Sequence, residues 1–415
     1  MGLLARVTRR MFRSTGGIAP ATAESMREDA YTGFVEDLQA SSAYDGPQEG
    51  EYTTRSGTSP APGAVRAIAF YLPQFHPIPE NDISWGEGFT EWTNTTKALP
   101  QFEGHYQPRL ADALGYYDLR LAETQVRQAA LARLYGIGGF CYHYYWFAGR
   151  RVMNRPIEQM LANPAIDLPF CLSWANEPWT RAWDGRSQEV IIPYVSEPET
   201  DRRFIDDVMP FLKDPRYLRV NGKPLLVVYR AARLKNAAAT LDHWRARARE
   251  EGLAGLYIVC ALTYNTAEPL EYGVDAGVEF PPHGLVARDR TPDYPKHNAH
   301  FAGSIFDYAE TVEAESVRKT DAFTRIRTVF PAWDNEARAP GRGTCFTGST
   351  PALYRRWLSF ALAEARRDPR GPGLVFVNAW NEWAEGAYLE PDRRFGFAYL
   401  DATRAALAGI ASSDA

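Results

Sequence analysis

The sequence predicts an α/β fold, a (β/α)8 barrel (TIM barrel) preceded by a flexible N-terminal segment, and three observations carry that reading. Eight short runs rich in β-branched or aromatic residues recur after Arg66, helical patterns separate them, and polar and aromatic residues gather just beyond the end of each run. Strands that are apolar nearly throughout and alternate with helices imply a parallel sheet covered on its outer face. Eight such units fit a closed barrel with enlarged loops.

Residues 1–63 come first. They are poor in periodic apolar pattern and end in Ser56-Gly57-Thr58-Ser59-Pro60-Ala61-Pro62-Gly63, the composition of a flexible, disordered lead-in, with a short helix expected around Ala21 to Gln39. The barrel is expected over residues 64–412. Its predicted strands are Ala67–Tyr71, Gly138–Tyr142, Pro169–Trp174, Pro224–Tyr229, Leu256–Ala261, Ala276–Phe280, Thr328–Trp333 and Leu374–Trp380. The clearest helices between them are Leu119–Tyr135, Arg202–Leu212, Leu241–Glu251 and Ala352–Ala365, with a last one at Ala398–Ala408. A doubly wound open sheet is the alternative, but such sheets bind nucleotides through a glycine-rich first turn. Here the first strand leads into Leu72-Pro73-Gln74-Phe75-His76-Pro77, and two prolines do not make a phosphate cradle.

Composition narrows the function classes. A net charge of -5 and a pI near 5.9 give no electrostatic case for nucleic acid. Aromatic residues make up 13% of the chain, with 11 Trp and 22 Tyr, which suits a carbohydrate-binding surface as well as a large core. Cys141, Cys171, Cys260 and Cys345 are widely spaced and read as buried free thiols of a reducing compartment. The basic residues Arg6, Arg9, Arg10 and Arg13 flank only Leu3-Leu4-Ala5, too short for a signal peptide, and no run reaches the length of a membrane span. The expectation is a cytoplasmic protein without stable membrane insertion.

In barrels of this kind the working groups project from the carboxyl ends of the strands. Beyond the first strand stands His76, with Trp92 in the long loop Trp85-Gly86-Glu87-Gly88-Phe89-Thr90-Glu91-Trp92, read as a lid or subsite wall or as packing. His143, Tyr144, Tyr145 and Trp146 follow the second strand, and Trp174, Asn176, Glu177 and Trp179 the third. Tyr229 and Arg230 end the fourth, Tyr264 and Asn265 the fifth, Glu279 and His283 the sixth, Trp333 and Asp334 the seventh. Glu177 reads either as a substrate contact or as a structural partner of Arg181. No third ligand stands near His76 and His143 at metal spacing, no Gly-x-Ser-x-Gly elbow is present, and no cofactor is implied.

The eighth strand runs into Asn378-Ala379-Trp380-Asn381-Glu382-Trp383-Ala384-Glu385-Gly386. Glycosidic bond cleavage needs one acid to protonate the departing oxygen and a second carboxylate for the other half of the reaction, while indole faces and amides hold the ring. Glu382 and Glu385 are the candidate pair, with Asn378, Trp380 and Asn381 as sugar-binding neighbours; the alternative for each glutamate is a structural bond to loop amides.

Five segments in order carry a resemblance: Phe70-Tyr71-Leu72-Pro73-Gln74-Phe75-His76-Pro77, the Trp85–Trp92 loop, Tyr142-His143-Tyr144-Tyr145-Trp146, Trp174-Ala175-Asn176-Glu177 and Trp380–Gly386. Together they resemble the WbsX-type domain, related to glycoside hydrolase family 99. The resemblance covers about Arg66 to Leu400 and implies a (β/α)8 barrel acting on α-linked glycans. It brings Tyr71 into the substrate-binding set. It also implies unequal roles: Glu382 assisting the substrate 2-hydroxyl as a neighbouring-group nucleophile and Glu385 serving as general acid and then base. Ala384 stands where the family 99 endo-α-mannosidases are expected to carry histidine, a departure that bears on the substrate. The reading is a retaining glycoside hydrolase or transglycosidase acting on an oligosaccharide or polysaccharide. Alternatives are a glycosyltransferase of surface-polysaccharide assembly and a non-catalytic carbohydrate-binding barrel.

Overall fold

The structure is a computed structural model that describes residues 23–42, 53–60, 63–181, 186–264, 266, 268–318 and 322–411. Eight parallel strands close the barrel: β1 Arg66–Tyr71, β2 Ile137–Phe147, β3 Phe170–Trp174, β4 Lys223–Val228, β5 Tyr257–Leu262, β6 Ala276–Glu279, β7 in two pieces, Arg325–Ile326 and Thr328–Val329, and β8 Leu374–Val377. The first piece of β7 pairs with β6 (Val278 with Ile326), and the second pairs with β8 (Val329 with Val377). The chain therefore changes partner at Arg327, and β8 returns to β1 with Ala69 opposite Val377. Such a closed sheet has no edges, and its strands are buried along almost their whole length.

The helices lie outside; most present an apolar stripe inward, while Ala122–Leu134 buries Thr124, Gln125 and Gln128 beside Ala129, Leu131 and Ala132. The helices are Ala122–Leu134, Arg155–Ala162, Pro198–Lys213, Ala237–Glu250, Tyr308–Ser316, Pro351–Arg367 and Ala398–Ala411. Their starts follow local chemistry: Thr350 Oγ1 accepts from the Leu353 amide at 3.2 Å, and Pro351 occupies the first turn, where its missing N–H has no partner to lose. Trp174, Phe204 and Trp244 fill the layer between β3 and the helices that start at Pro198 and Ala237, with Trp174 stacked on Phe204 at 4.2 Å.

Two boundaries differ from the sequence reading in ways that matter. Strand β2 runs on to Phe147, because beyond the barrel it pairs antiparallel with Arg150–Val152. Residues 143–147 are thus strand, with side chains alternating between faces. Strand β7 ends at Val329, and Trp333–Asp334 instead joins a small sheet with Ser304–Asp307 and Thr344–Thr347.

Part of the N-terminal segment bonds to the barrel. Helix Ala23–Ser42 sets Asp37 Oδ2 at 2.9 Å from the Gly104 amide and 2.8 Å from His297 Nε2. Thr53 exchanges backbone bonds with Phe395 and Phe397, and its hydroxyl donates to Asp401 at 2.7 Å. No helix among the described residues is long and apolar enough to cross a membrane.

Candidate active site

Beyond Val377 the chain passes a cis Asn378–Ala379 bond and folds into a hairpin, with Asn381–Glu382 paired to Ala387–Tyr388 and the turn Trp383–Glu385 between them. Gly386 closes that turn at φ +61°, and a Cβ there would lie 2.9 Å from the Asp334 backbone nitrogen, so only glycine fits. Asn381 anchors the hairpin: its Oδ1 accepts from the Leu72 amide at 2.8 Å and its Nδ2 donates to the Leu72 carbonyl at 3.0 Å. Trp383 stacks on Tyr388 at 3.8 Å and donates its indole N–H to Glu390 at 2.7 Å. Glu382 and Glu385 are left facing a cavity of about 360 Å3 at the carboxyl ends of the strands.

One guanidinium binds both acids. Arg338, from the loop after Trp333–Asp334, donates through Nη2 to Glu382 Oε2 at 2.7 Å, through Nη1 to Glu385 Oε1, and through Nε to Glu91 Oε1 at 2.7 Å. Each cavity glutamate thereby commits one oxygen and keeps the other. Glu382 Oε1 lies 3.9 Å from His143 Nε2, too far for a direct hydrogen bond but close enough that one hydroxyl oxygen beside the pair could bond to both. Burial raises both glutamate carboxyls above their ordinary range, with Arg338 opposing and Glu91 reinforcing it. Burial and Arg338 together hold the His143 imidazole down at about 4, so it is neutral at pH 7.

The alternation of β2 sorts the residues after the second strand. His143 and Tyr145 face the cavity. Tyr144 and Trp146 point the other way: Tyr144 donates to Asp207 at 2.5 Å, and Trp146 packs against Trp174 and Phe204. As substrate-binding residues these two are corrected, as is Trp174, fully buried in the same outer layer. Glu177, Trp179, Tyr264 and Trp333 do line the cavity, joined by Tyr229, Phe280, Pro282 and His283. Glu177 pairs with Arg230 at 3.2 Å, and Arg181 instead lies 3.8 Å from Glu189. Arg230 sits over the Tyr264 ring at 3.9 Å. Asn265 lies outside the described residues.

Several other expected contacts prove to be framework. Tyr71 is buried and donates to Gln128 at 2.8 Å; His76 is buried and held neutral, its imidazole lowered to about 4 by burial. Trp92 packs on Phe75 and Trp383 and donates to the Tyr117 carbonyl, so this side chain braces the site. Asn176 bridges β3 and β4 by bonding both the N–H and the carbonyl of Arg230. Asn378 donates to the Pro281 carbonyl, and Trp380 is wholly enclosed. Glu279 is bound by Arg318 and Arg327 and accepts from the Thr328 amide, so its charge is spent on closing the barrel between β6 and β7.

Sequence reasoning missed Arg338 because nothing local marks it; only its place beyond the seventh strand could have pointed there. Among the described residues His105, Asp334 and Cys345 bring possible metal-ligating atoms within 4.8 Å of one another. Asp334 is already engaged by His105 and Gln107, each at 2.8 Å, with Arg109 at 3.7 Å. A larger recess, about 570 Å3, opens beside the amino ends of β7 and β8. Its Arg327 is paired with Glu364 and its Arg370 with Asp368, and that end of a barrel serves stability.

The fold is a (β/α)8 barrel. It superposes on the GH99 endo-α-mannosidase of Bacteroides thetaiotaomicron with a TM-score of 0.51, at 17% identity, over 84% of this chain and 98% of that one. A glycoside hydrolase-like protein gives 0.53 at 15% identity over 87% and 99%. The chain belongs to the WbsX family: the profile described as Glycosyltransferase WbsX matches residues 67–403. It is 44% identical over 359 residues to the uncharacterized protein WxcX of Xanthomonas campestris pv. campestris strain B100, covering 86% of this chain and 52% of that one. The WxcX of strain ATCC 33913 is 45% identical over 341 residues, 82% of this chain and 49% of the relative. The chain thus spans about half the length of the curated relatives it matches.

Proposed function

We propose that the barrel, residues 64–412, is a retaining glycoside hydrolase or transglycosidase acting on an α-linked bacterial polysaccharide. The observation that carries this reading is the pair Glu382 and Glu385 at the barrel mouth, each with one oxygen fixed on Arg338 and one facing the cavity. Glu382 Oε1 takes the proton of the substrate 2-hydroxyl as that oxygen closes on the anomeric carbon. The glycosidic bond breaks, and its oxygen leaves with the proton of Glu385. Glu385 then deprotonates a water that opens the strained ring at the anomeric carbon, while Glu382 returns its proton to O2. Two inversions give net retention with no glycosyl–enzyme bond. Neutral His143 stands where it can hold the same hydroxyl, and Tyr145, Trp179 and Trp333 offer ring faces to the sugar.

The test is turnover of defined α-linked glycans with product configuration followed by NMR. Glu385→Gln is expected to bind glycan and fail to cleave it; full activity in that variant overturns its role. The family description supports a second reading, transfer from a sugar nucleotide. Calorimetry with a panel of sugar nucleotides separates the two, since tight nucleotide-dependent binding favours transfer.

A further inference from the structure

We propose that Arg338 is a positioning residue that aims Glu382 and Glu385 and sets how they share charge, with Glu91 as its anchor. The inference rests on the glutamate pair being the reacting groups. Its geometry is tripartite: three guanidinium nitrogens bond three carboxylates drawn from two distant loops. Glu91 belongs to the short helix Glu91–Thr95 after β1, whose Trp92 packs on Trp383 of the catalytic hairpin at 5.3 Å. The loop carrying Arg338 is itself braced, since Glu336 accepts from the Gly341 amide at 2.6 Å and Asn335 from the Thr344 amide at 2.7 Å. A planar fork of donors can satisfy three carboxylates at once; a lysine ammonium on a flexible stem would not hold them in this arrangement.

Charge follows from the same count. Three carboxylates against one guanidinium leave two net negative charges in a buried cluster if all are ionised, which a low-dielectric surrounding disfavours. Taking up one proton relieves this, and the cluster then holds one acid beside two carboxylates; with the proton on Glu385, Glu382 is left as the base that a two-carboxylate reaction requires. Among the described residues, the other titratable groups lining the cavity add no net charge: Glu177 is paired with Arg230 at 3.2 Å, and burial lowers the His283 imidazole. His143 is kept neutral by burial, and burial pushes the phenols of Tyr145 and Tyr229 above their ordinary range. Arg338 favours the ionised glutamates and Glu91 disfavours them, so removing either should move the pair in opposite directions.

The test reads protonation directly. Protein labelled with 13C at the glutamate carboxyls is titrated by NMR in the wild type, Glu91→Gln and Arg338→Lys, with Glu382 and Glu385 assigned from single Gln variants and folding checked by melting. Loss of the Glu91 charge is expected to lower the apparent midpoints of the pair by about one unit, and loss of the fork to raise at least one of them by about one unit. Unmoved midpoints in folded Glu91→Gln overturn the inference, and a shift of the same sign in both variants does so too. Turnover is not part of this readout, so failure here is distinct from failure of the glycosidase reading. Where a glycan is turned over, the acidic limb of its pH profile should move to higher pH in Arg338→Lys and to lower pH in Glu91→Gln.

Discussion

Glu382 and Glu390 lie on the same loop, both buried, and their surroundings separate the carboxyl proposed to react from a structural one. Glu390 is enclosed by neutral donors: Tyr117 at 2.8 Å, Gln128 at 2.7 Å and Trp383 at 2.7 Å, with no open side. Burial pushes its carboxyl up to about 7, and every hydrogen bond it makes holds framework together. Glu382 has one strong cationic partner, a second oxygen whose near neighbour among the described residues is His143 Nε2 at 3.9 Å, and a cavity in front of it. Glu390 thus has all its surroundings committed to framework, whereas Glu382 keeps one oxygen toward a cavity, the arrangement expected of a group that meets a ligand.

Breaking the working side should have the largest effect. Glu385→Gln is expected to cut turnover by roughly 10²–10⁴-fold with an unchanged melting temperature, as loss of a general acid–base does; a stability loss of similar weight would erase the distinction. On the scaffold side, Glu390→Ala strands three buried donors and should cost about 3 kcal/mol or more in urea unfolding, while the folded protein keeps its catalytic rate. The same carboxyl gives a signed pH effect. Its folded pKa of about 7 lies above the ordinary glutamate value, so its contribution is complete at acidic pH and lost as pH rises through about 7. Asp334 behaves oppositely: burial would raise it, but His105, Arg109 and the Glu336 amide hold it at about 2, so its contribution is present at neutral pH and lost as pH falls toward 2. Stability titrations of Glu390→Gln and Asp334→Asn should each flatten their own window.

The smallest contrast is between neighbours on β2. Tyr145→Ala, on the cavity face, should weaken glycan binding about fivefold by isothermal calorimetry, in line with a ring contact of about 1 kcal/mol. Tyr144→Phe, one residue earlier and facing outward, should leave that binding unchanged and cost about 1 kcal/mol of stability through the lost Asp207 bond.

Much of the barrel was legible in the sequence because a strand buried on both faces must be apolar along its length, and that pattern is local. Leu374–Val377 followed by two glutamates could be placed at the barrel mouth on that ground alone. Tyr144 and Trp146 were misread because continuation of β2 depends on the hairpin partner Arg150–Val152, which gives residues 143–147 strand alternation. Glu279 carried no visible sign that Arg318 and Arg327, far along the chain, would consume its charge.

By itself the sequence determined the number and order of the strands and the acids that follow the last one, since periodicity and composition act over a few residues. Only the tertiary structure decided which polar groups are occupied and which stand ready. The partner of Glu382 and Glu385 is Arg338, which reaches them only through barrel closure and also binds Glu91 from the first loop. Charge balance in a buried cluster depends on such non-local contacts, because short-range Coulomb and hydrogen-bond terms follow distance in space, not separation along the chain.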